Sequence, residues 1–429
     1  MTPRISELKQ KFVGFLRFTE RYTKTDMVYV TREGSWSLLS QVVSSLASAA
    51  AVIVLANILP KESFGQYRFV LSLIPVLVIF ALPGISTALM RSAARGARAD
   101  FPKVVETEIK WGFLGSLASL LIAAYYFSQG DHVLSLAFAL TAALVPFIQP
   151  FSVYSAYYKG KQNFKLATIY DSISLVFQAV LLVGAALVTR NILVVIGAFL
   201  AGRIIPSVFF YVKTLRDEGE AARGGGGAED GSDDTIRYGK RLTTTQIMST
   251  IAGSIDKLLV GYFLGLEVLA VYSIALTIPS NAILLFNVIP RIAFPKFSKN
   301  SWGPEERAKI IRKLMIFLAA LIVPVALYAL LVPVVLPFIF KDYRASIPTA
   351  LVLSFLILVS PLNAVIDQVM QARKFVGKII WSQTVTVVVF VAAFFAVYRV
   401  LGANPMDAAI ALIVSEVAQF LVGIFFIRK

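Results

Sequence analysis

Apolar runs separated by short polar segments recur along nearly the whole chain. Each is about 18 to 25 residues long, enough to cross roughly 30 Å of hydrocarbon as a helix rising about 1.5 Å per residue. Strands spanning an outer membrane would instead alternate polar and apolar positions over about ten residues, and no such alternation is present. The pattern predicts an all-α polytopic membrane protein with twelve spans, at approximately 35–58, 68–90, 110–128, 132–157, 166–188, 191–213, 238–264, 268–290, 310–332, 346–371, 377–398 and 406–427. The ninth is expected to stop before VPVVLPFIF, where Pro333 and Pro337 argue against a straight helix and in favour of the start of an outer loop.

Ahead of the first span, Ile5, Leu8, Phe12, Phe15, Leu16 and Phe18 recur at helical spacing between Lys9, Lys11, Arg17 and Arg21. Segment 1–34 is therefore expected to lie on an anionic membrane surface as an amphipathic helix. No cleavable signal peptide is expected, because the first apolar run starts too late. Between spans six and seven, TLRDEGEAARGGGGAEDGSDDTI carries four consecutive glycines and a cluster of acids, a composition that cannot bury a core. Segment 214–237 thus reads as a flexible cytoplasmic linker between a six-helix lobe at 35–213 and another at 238–429.

The lobes resemble each other. A shift of 205 residues lays VLANILPKESFGQYRFVLSLIPVL over LVGYFLGLEVLAVYSIALTIPSNA, matching Leu59 to Leu264, Glu62 to Glu267 and Tyr67 to Tyr272. A shift of 211 brings Phe164 over Phe375 in two basic loops. Matches at similar offsets between corresponding hairpins point to parallel repeats related by an axis along the membrane normal, as in many transporters.

Composition agrees with the pattern: 57% of the 429 residues are hydrophobic and 15% are charged, against roughly 25% charged in soluble domains. The net charge of +16 would suit nucleic acid, but the charges sit in short loops between apolar runs, so the partner expected is membrane lipid and not nucleic acid. Of the 41 Lys and Arg, 33 fall on the N-terminus and the alternate segments on its side, which places both termini in the cytoplasm by the positive-inside rule. The absence of cysteine excludes disulfides, thiolate metal sites and cysteine nucleophiles, and His132 stands alone. There is no HExxH, GxSxG, DxD pair or Walker glycine loop, so no metal, ATP or other cofactor is expected. A polymerase or ligase enzyme is the competing class, but the longest outer segment, roughly 333–345, is short for one.

Charged residues inside spans are expensive and call for a reason, roughly 2.5 to 3.5 kcal/mol each on insertion scales. Asp256 and Lys257 stand together in span seven and Arg203 midway along span six. Being adjacent, Asp256 and Lys257 project about 100° apart and are not expected to face one partner. Lys257 has two readings, a cavity residue or one paired with a helix neighbour and snorkelling to the interface. Asp171, Asp256, Asp367 and Glu416 are the carboxylates that could couple transport to H+ or Na+. Of these, Asp171 and Asp367 lie near cytoplasmic helix ends, where a cap or loop contact is the alternative. Pro75, Pro83 and Pro279 interrupt spans two and eight, where bending would switch access.

The stretch DKLLVGYFLGLEVLAVYSIA resembles the corresponding segment of Wzx-type flippases, the O-antigen and polysaccharide exporters of the multidrug/oligosaccharidyl-lipid/polysaccharide superfamily. ANILPKESFGQYRFVLSLIPVLVIFALPGISTALMRSAARG and LPFIFKDYRASIPTALVLS are similar to other segments of that family. The resemblance implies a monomeric inner-membrane flippase that moves a polyprenyl-pyrophosphate-linked oligosaccharide to the outer leaflet by alternating access. It also implies that spans two and eight line a central cavity. Lys257, Arg203, Arg68, Arg91 and Arg291 are then the candidate contacts to diphosphate, and Gln41, Asn57, Asn281 and Asn287 those to sugar. Arg68, Arg91 and Arg291, at span ends, read first as ordinary interface anchors and only second as substrate contacts. A multidrug or lipid II exporter of the same superfamily is the alternative cargo class. Span one lacks the internal arginines of lipid II flippases, which counts against that cargo.

Overall fold

A computed structural model describes residues 27–95, 101–222, 232–286, 303–373, 375–402 and 404–428. Among these there are helices and no strands. The first lobe comprises α1 (Met27–Ile58), α2 (Lys61–Val78), α3 (Gly84–Ala94), α4 (Phe101–Ser128), α5 (His132–Ile148), α6 (Val153–Gly160), α7 (Phe164–Val188) and α8 (Ile192–Ala222). The second comprises α9 (Ser232–Ala252), α10 (Ile255–Leu259), α11 (Leu266–Phe286), α12 (Pro304–Ile339), α13 (Ile347–Leu353), α14 (Leu356–Ala372), α15 (Val376–Leu401) and α16 (Pro405–Arg428). Ten described helical segments are long and apolar enough to cross a membrane, and two bent pairs, α9 with α10 and α13 with α14, bring the number to twelve.

Local chemistry sets the boundaries. Asp131 caps α5 by accepting the Leu134 N–H at 2.9 Å, and Asn163 caps α7 by accepting that of Leu166 at 3.2 Å. Gly303 and Pro304 open α12, with Glu305 and Glu306 against the positive end of its dipole. Helix α12 then continues through Pro333 and Pro337 to Ile339, so the stretch expected to begin an outer loop is helical. Prolines cost less in such a place because neighbouring helices satisfy the freed carbonyls. Phe338, 84% exposed, and Leu330, 74% exposed, lie on its lipid side. The stretch read as a linker is helical up to Ala222 and again from Ser232. The surface helix expected within 1–34 falls on 1–26, outside the described residues, and on the start of α1.

The buried apolar residues form three clusters whose distribution locates the cavity. On the half of the molecule away from the basic loops, one cluster runs through both lobes and includes Leu55, Phe64, Tyr67, Phe138, Tyr272, Phe340 and Tyr343. On the basic half each lobe keeps its own, around Tyr154 and Phe210 in the first and around Leu314 and Met370 in the second. Away from the basic loops the lobes meet closely: a Cβ on Gly65 of α2 would overlap the Leu266 carbonyl, and the Phe64 and Tyr343 rings stand edge to face at 6.1 Å. On the basic face α3 packs on α9. There the Gly84 N–H donates to Thr243 Oγ1 at 3.1 Å, and a Cβ on Gly84 would overlap the Gly239 carbonyl. Between α2 and α3 the chain breaks at Leu82, whose φ of 60° is strained for a branched side chain.

Candidate functional site

The site grows from the break in span seven. Helices α9 and α10 meet at 47° across Gly253 and Ser254, and a π-helical turn over Val260–Leu264 follows. Such breaks free backbone groups and are tolerated at membrane depth where they line a cavity. Gly253, Ser254 and Lys257 form one wall of a cavity of about 270 Å³ whose other walls carry Arg68, Ser72 and Pro75 of α2 and Phe199 and Arg203 of α8. Arg68 and Arg203 also line an adjoining cavity of about 180 Å³ within the first lobe, where Ala47, Ala51, Leu175 and Leu182 stand beside the polar Ser44, Ser48 and Gln178. Counted from the helix ends away from the basic loops, at about 1.5 Å per residue, Arg68 and Lys257 lie about 10 Å and Arg203 about 16 Å into the membrane.

The cations are unequally compensated. Lys257 Nζ donates to both carboxylate oxygens of Asp256, at 3.0 and 3.1 Å, and Asp256 is 2% exposed. The two share no third partner but pair with each other, the helix-neighbour alternative for Lys257: the 100° rule fixes their Cβ atoms, whereas the lysine stem is long enough to fold back. The Tyr272 hydroxyl donates to Asp256 Oδ2 at 3.0 Å. Arg68 Nε is buried without a hydrogen-bond partner, and among the described residues neither Arg68 nor Arg203 has an ion pair. One acid against three cations leaves the cavity positive.

Arg68 is not an interface anchor. Helix α2 begins after Pro60, with Lys61 and Glu62 in its first turn, which carries Arg68 two turns into the helix. Arg91 is not in this cavity. It lies on α3 with its guanidinium 4.9 Å from the centre of the Tyr238 ring. Asn57 is turned to structural use: its amide donates to the Ile53 carbonyl at 2.8 Å and to that of Ile339 at 2.9 Å, satisfying an orphan acceptor at the end of α12. Asn281 donates back to Thr277 within α11 at 2.8 Å, and Gln41 lines neither cavity. Asn287 and Arg291 lie outside the described residues.

Among the carboxylates, Asp171 pairs with Lys159 at 2.9 Å and accepts from Ser155 at 2.8 Å, a contact near the basic-face end of its helix. Asp367 and Glu416 belong to a polar cluster in the second lobe. Glu416 Oε2 accepts from Asn363 at 2.8 Å and Ser360 at 3.1 Å, and Asp367 Oδ2 accepts from Gln383 at 3.3 Å while its other oxygen has no partner. Among the described residues no group of three His, Asp or Glu side chains is arranged to hold a metal ion.

Several contributors escaped the sequence. Ser72, Phe199, Gly253 and Ser254 carry no charge to mark them. Tyr272 had a signal, its repeat match to Tyr67 beside Arg68. Glu108 on α4 is fully buried with both carboxylate oxygens unpartnered. A separate cavity of about 360 Å³ on the basic face is lined by Arg91, Arg95, Arg237 and Arg241.

Comparison with known proteins places this geometry. A family model described as "Polysaccharide biosynthesis protein" matches residues 54–342. A Shigella flexneri protein named "Putative O-antigen transporter" is 24% identical over 333 residues, covering 70% of this chain and 74% of that protein. The teichuronic acid biosynthesis protein TuaB of Bacillus subtilis is 32% identical over 73 residues, covering 17% of this chain and 15% of its own. Among solved structures, an inward-facing multidrug resistance MATE transporter of the MOP superfamily superposes with a TM-score of 0.65 at 14% identity, covering 90% of this chain and 94% of its own. A MOP superfamily transporter from Pyrococcus furiosus, described as having a binding pocket of reversed polarity, gives 0.60 at 15% identity, covering 93% and 94%. The fold is that of the MATE transporters.

Proposed function

Because the chain belongs to the polysaccharide biosynthesis protein family, we propose that it is a flippase carrying a polyprenyl-diphosphate-linked oligosaccharide from the cytoplasmic to the outer leaflet of the inner membrane. The observation that carries this reading is the convergence of Arg68, Arg203 and Lys257, from three helices and both lobes, on one cavity within the membrane with a single acid. A diphosphate cannot cross hydrocarbon unaided, since each unsatisfied polar group is expensive there. Two guanidiniums without carboxylate partners supply the bidentate donors a phosphate accepts. The adjoining cavity shares the same two arginines and mixes Ser44, Ser48 and Gln178 with Ala47, Leu175 and Leu182, a lining suited to the sugar next to the diphosphate. A cationic drug, by contrast, would meet like charge in this cavity.

The excess of Lys and Arg on one face supports a cytoplasmic location for that face and both termini. The lobes share one apolar core away from that face, whereas beside it each has its own core and they meet where α3 packs on α9, so the smaller interface to be parted for cargo is the cytoplasmic one. In the proposed cycle the Gly84 contact parts to admit cargo, the diphosphate displaces Lys257 from Asp256, and the lobes then close again at Gly84 and part at Gly65. Asp256 and the Asp367–Glu416 cluster are the groups assigned to take up a coupling H+ or Na+. Reconstitution into liposomes with a fluorescent polyprenyl-diphosphate oligosaccharide tests the reading: outward movement across the bilayer is expected, and its absence with several headgroups would overturn it.

A further inference from the structure

The basic-face cavity carries more charge than an ordinary cytoplasmic surface needs. Arg91 and Arg95 stand four residues apart on α3, Arg237 and Arg241 four apart on α9, and all four line one space of about 360 Å³ between the lobes. Residues at that spacing share a helix face, and like charges so placed are mutually destabilising. Two such pairs then confront each other across an interface that packs closely, as the contact of Gly84 with Gly239 requires.

Among the described residues compensation is slight. The one acid in the lining, Asp234, pairs with Arg237 at 2.6 Å on the exposed surface, and Arg91 rests on the Tyr238 ring. Among the described residues, the side chains of Arg95 and Arg241 have no acidic partner. Lobe closure here gathers positive charge, and an anion bound between the two arginine pairs would relieve the repulsion.

We propose that this cavity is a second diphosphate site, which captures the headgroup of the cargo at the cytoplasmic mouth before it passes to Arg68 and Arg203. The assignment rests on the flippase reading for the source of its ligand. Each arginine pair faces one phosphoryl group, and guanidinium forks bind phosphate oxygens two at a time. Because the pairs belong to different lobes, the bound diphosphate bridges them and favours closure of the cytoplasmic face behind the cargo.

The experiment uses the full chain in phosphatidylcholine nanodiscs and inorganic pyrophosphate as probe, with binding measured by calorimetry. The Arg68→Gln/Arg203→Gln protein, in which the central cavity is neutralised, is expected to retain pyrophosphate binding. Adding Arg95→Gln/Arg241→Gln is expected to weaken it at least about tenfold, since one charge-assisted contact is worth roughly that factor. Arg95→Lys/Arg241→Lys, which keeps the charges and loses the forks, is expected to bind between the glutamine variant and the parent.

Unchanged affinity in the glutamine variants would overturn the assignment. So would loss of pyrophosphate binding on adding phosphatidylglycerol, with that lipid retained through the same arginines, because the site would then hold bilayer headgroups. Translocation measured in parallel separates the two claims: cargo movement that survives Arg68→Gln/Arg203→Gln refutes the central cavity and leaves the mouth site standing.

Discussion

The Tyr272 hydroxyl donates a 3.0 Å hydrogen bond to Asp256 Oδ2, joining α11 to the short helix that precedes it. The same carboxylate accepts both contacts from Lys257, so the single acid at the central cavity is held by a cation on one side and a phenol on the other. Lys257 lines the cavity, and Asp256 lies behind it, outside the lining.

This arrangement makes removal of one partner worse than removal of both. Asp256→Asn or Lys257→Met is expected to destabilise the protein by about 3 to 5 kcal/mol, because the partner is left as a buried unpaired charge. The double variant is expected to recover most of that loss, and Tyr272→Phe to cost roughly 1.5 to 3 kcal/mol. Thermal unfolding in detergent across the double-mutant cycle checks this, and additive single losses would refute the pairing.

The two glycine contacts are expected to act as opposite gates. Gly65→Leu places a side chain where the Leu266 backbone now lies, and Gly84→Leu does the same against Gly239. The sequence has no cysteine, so Ser72→Cys introduces a single thiol into the central cavity. That thiol is expected to react with an impermeant maleimide from the outer side in the Gly65→Leu protein and from the cytoplasmic side in the Gly84→Leu protein. Equal labelling from both sides in both variants would contradict the assignment.

The hairpin and span pattern was legible in the sequence because a 20-residue apolar run has one low-energy solution in a bilayer. Arg203, Asp256 and Lys257 were legible for the converse reason, since a charge in such a run is costly. Arg68 was misplaced at a span end because Lys61 and Glu62 read as loop, although Pro60 starts the helix ahead of them. Asn57 read as a sugar contact because its partner, the Ile339 carbonyl, exists only once α12 runs past two prolines. Arg95, Arg237 and Arg241 were counted among the charges of cytoplasmic loops. Their convergence depends on α3 packing against α9, which no local pattern encodes.

The cluster of Asn363, Asp367 and Glu416 is expected to carry energy coupling and not cargo, because these side chains lie outside the lining of the central cavity. Glu416→Gln and Asp367→Asn are expected to lower the rate driven by an imposed H+ or Na+ gradient to the rate without one, while downhill exchange of cargo persists. Flux measured in liposomes with and without each gradient checks this, and full gradient stimulation in both variants would exclude the cluster.

The direct test of the central claim is the rate at which a fluorescent polyprenyl-diphosphate oligosaccharide crosses liposomes containing the wild-type or the Arg68→Gln/Arg203→Gln protein, at equal amounts of folded protein. Loss of two charge-assisted contacts is expected to slow translocation about a hundredfold. A rate in the variant equal to that of the wild type would contradict the assignment of these two arginines to the diphosphate.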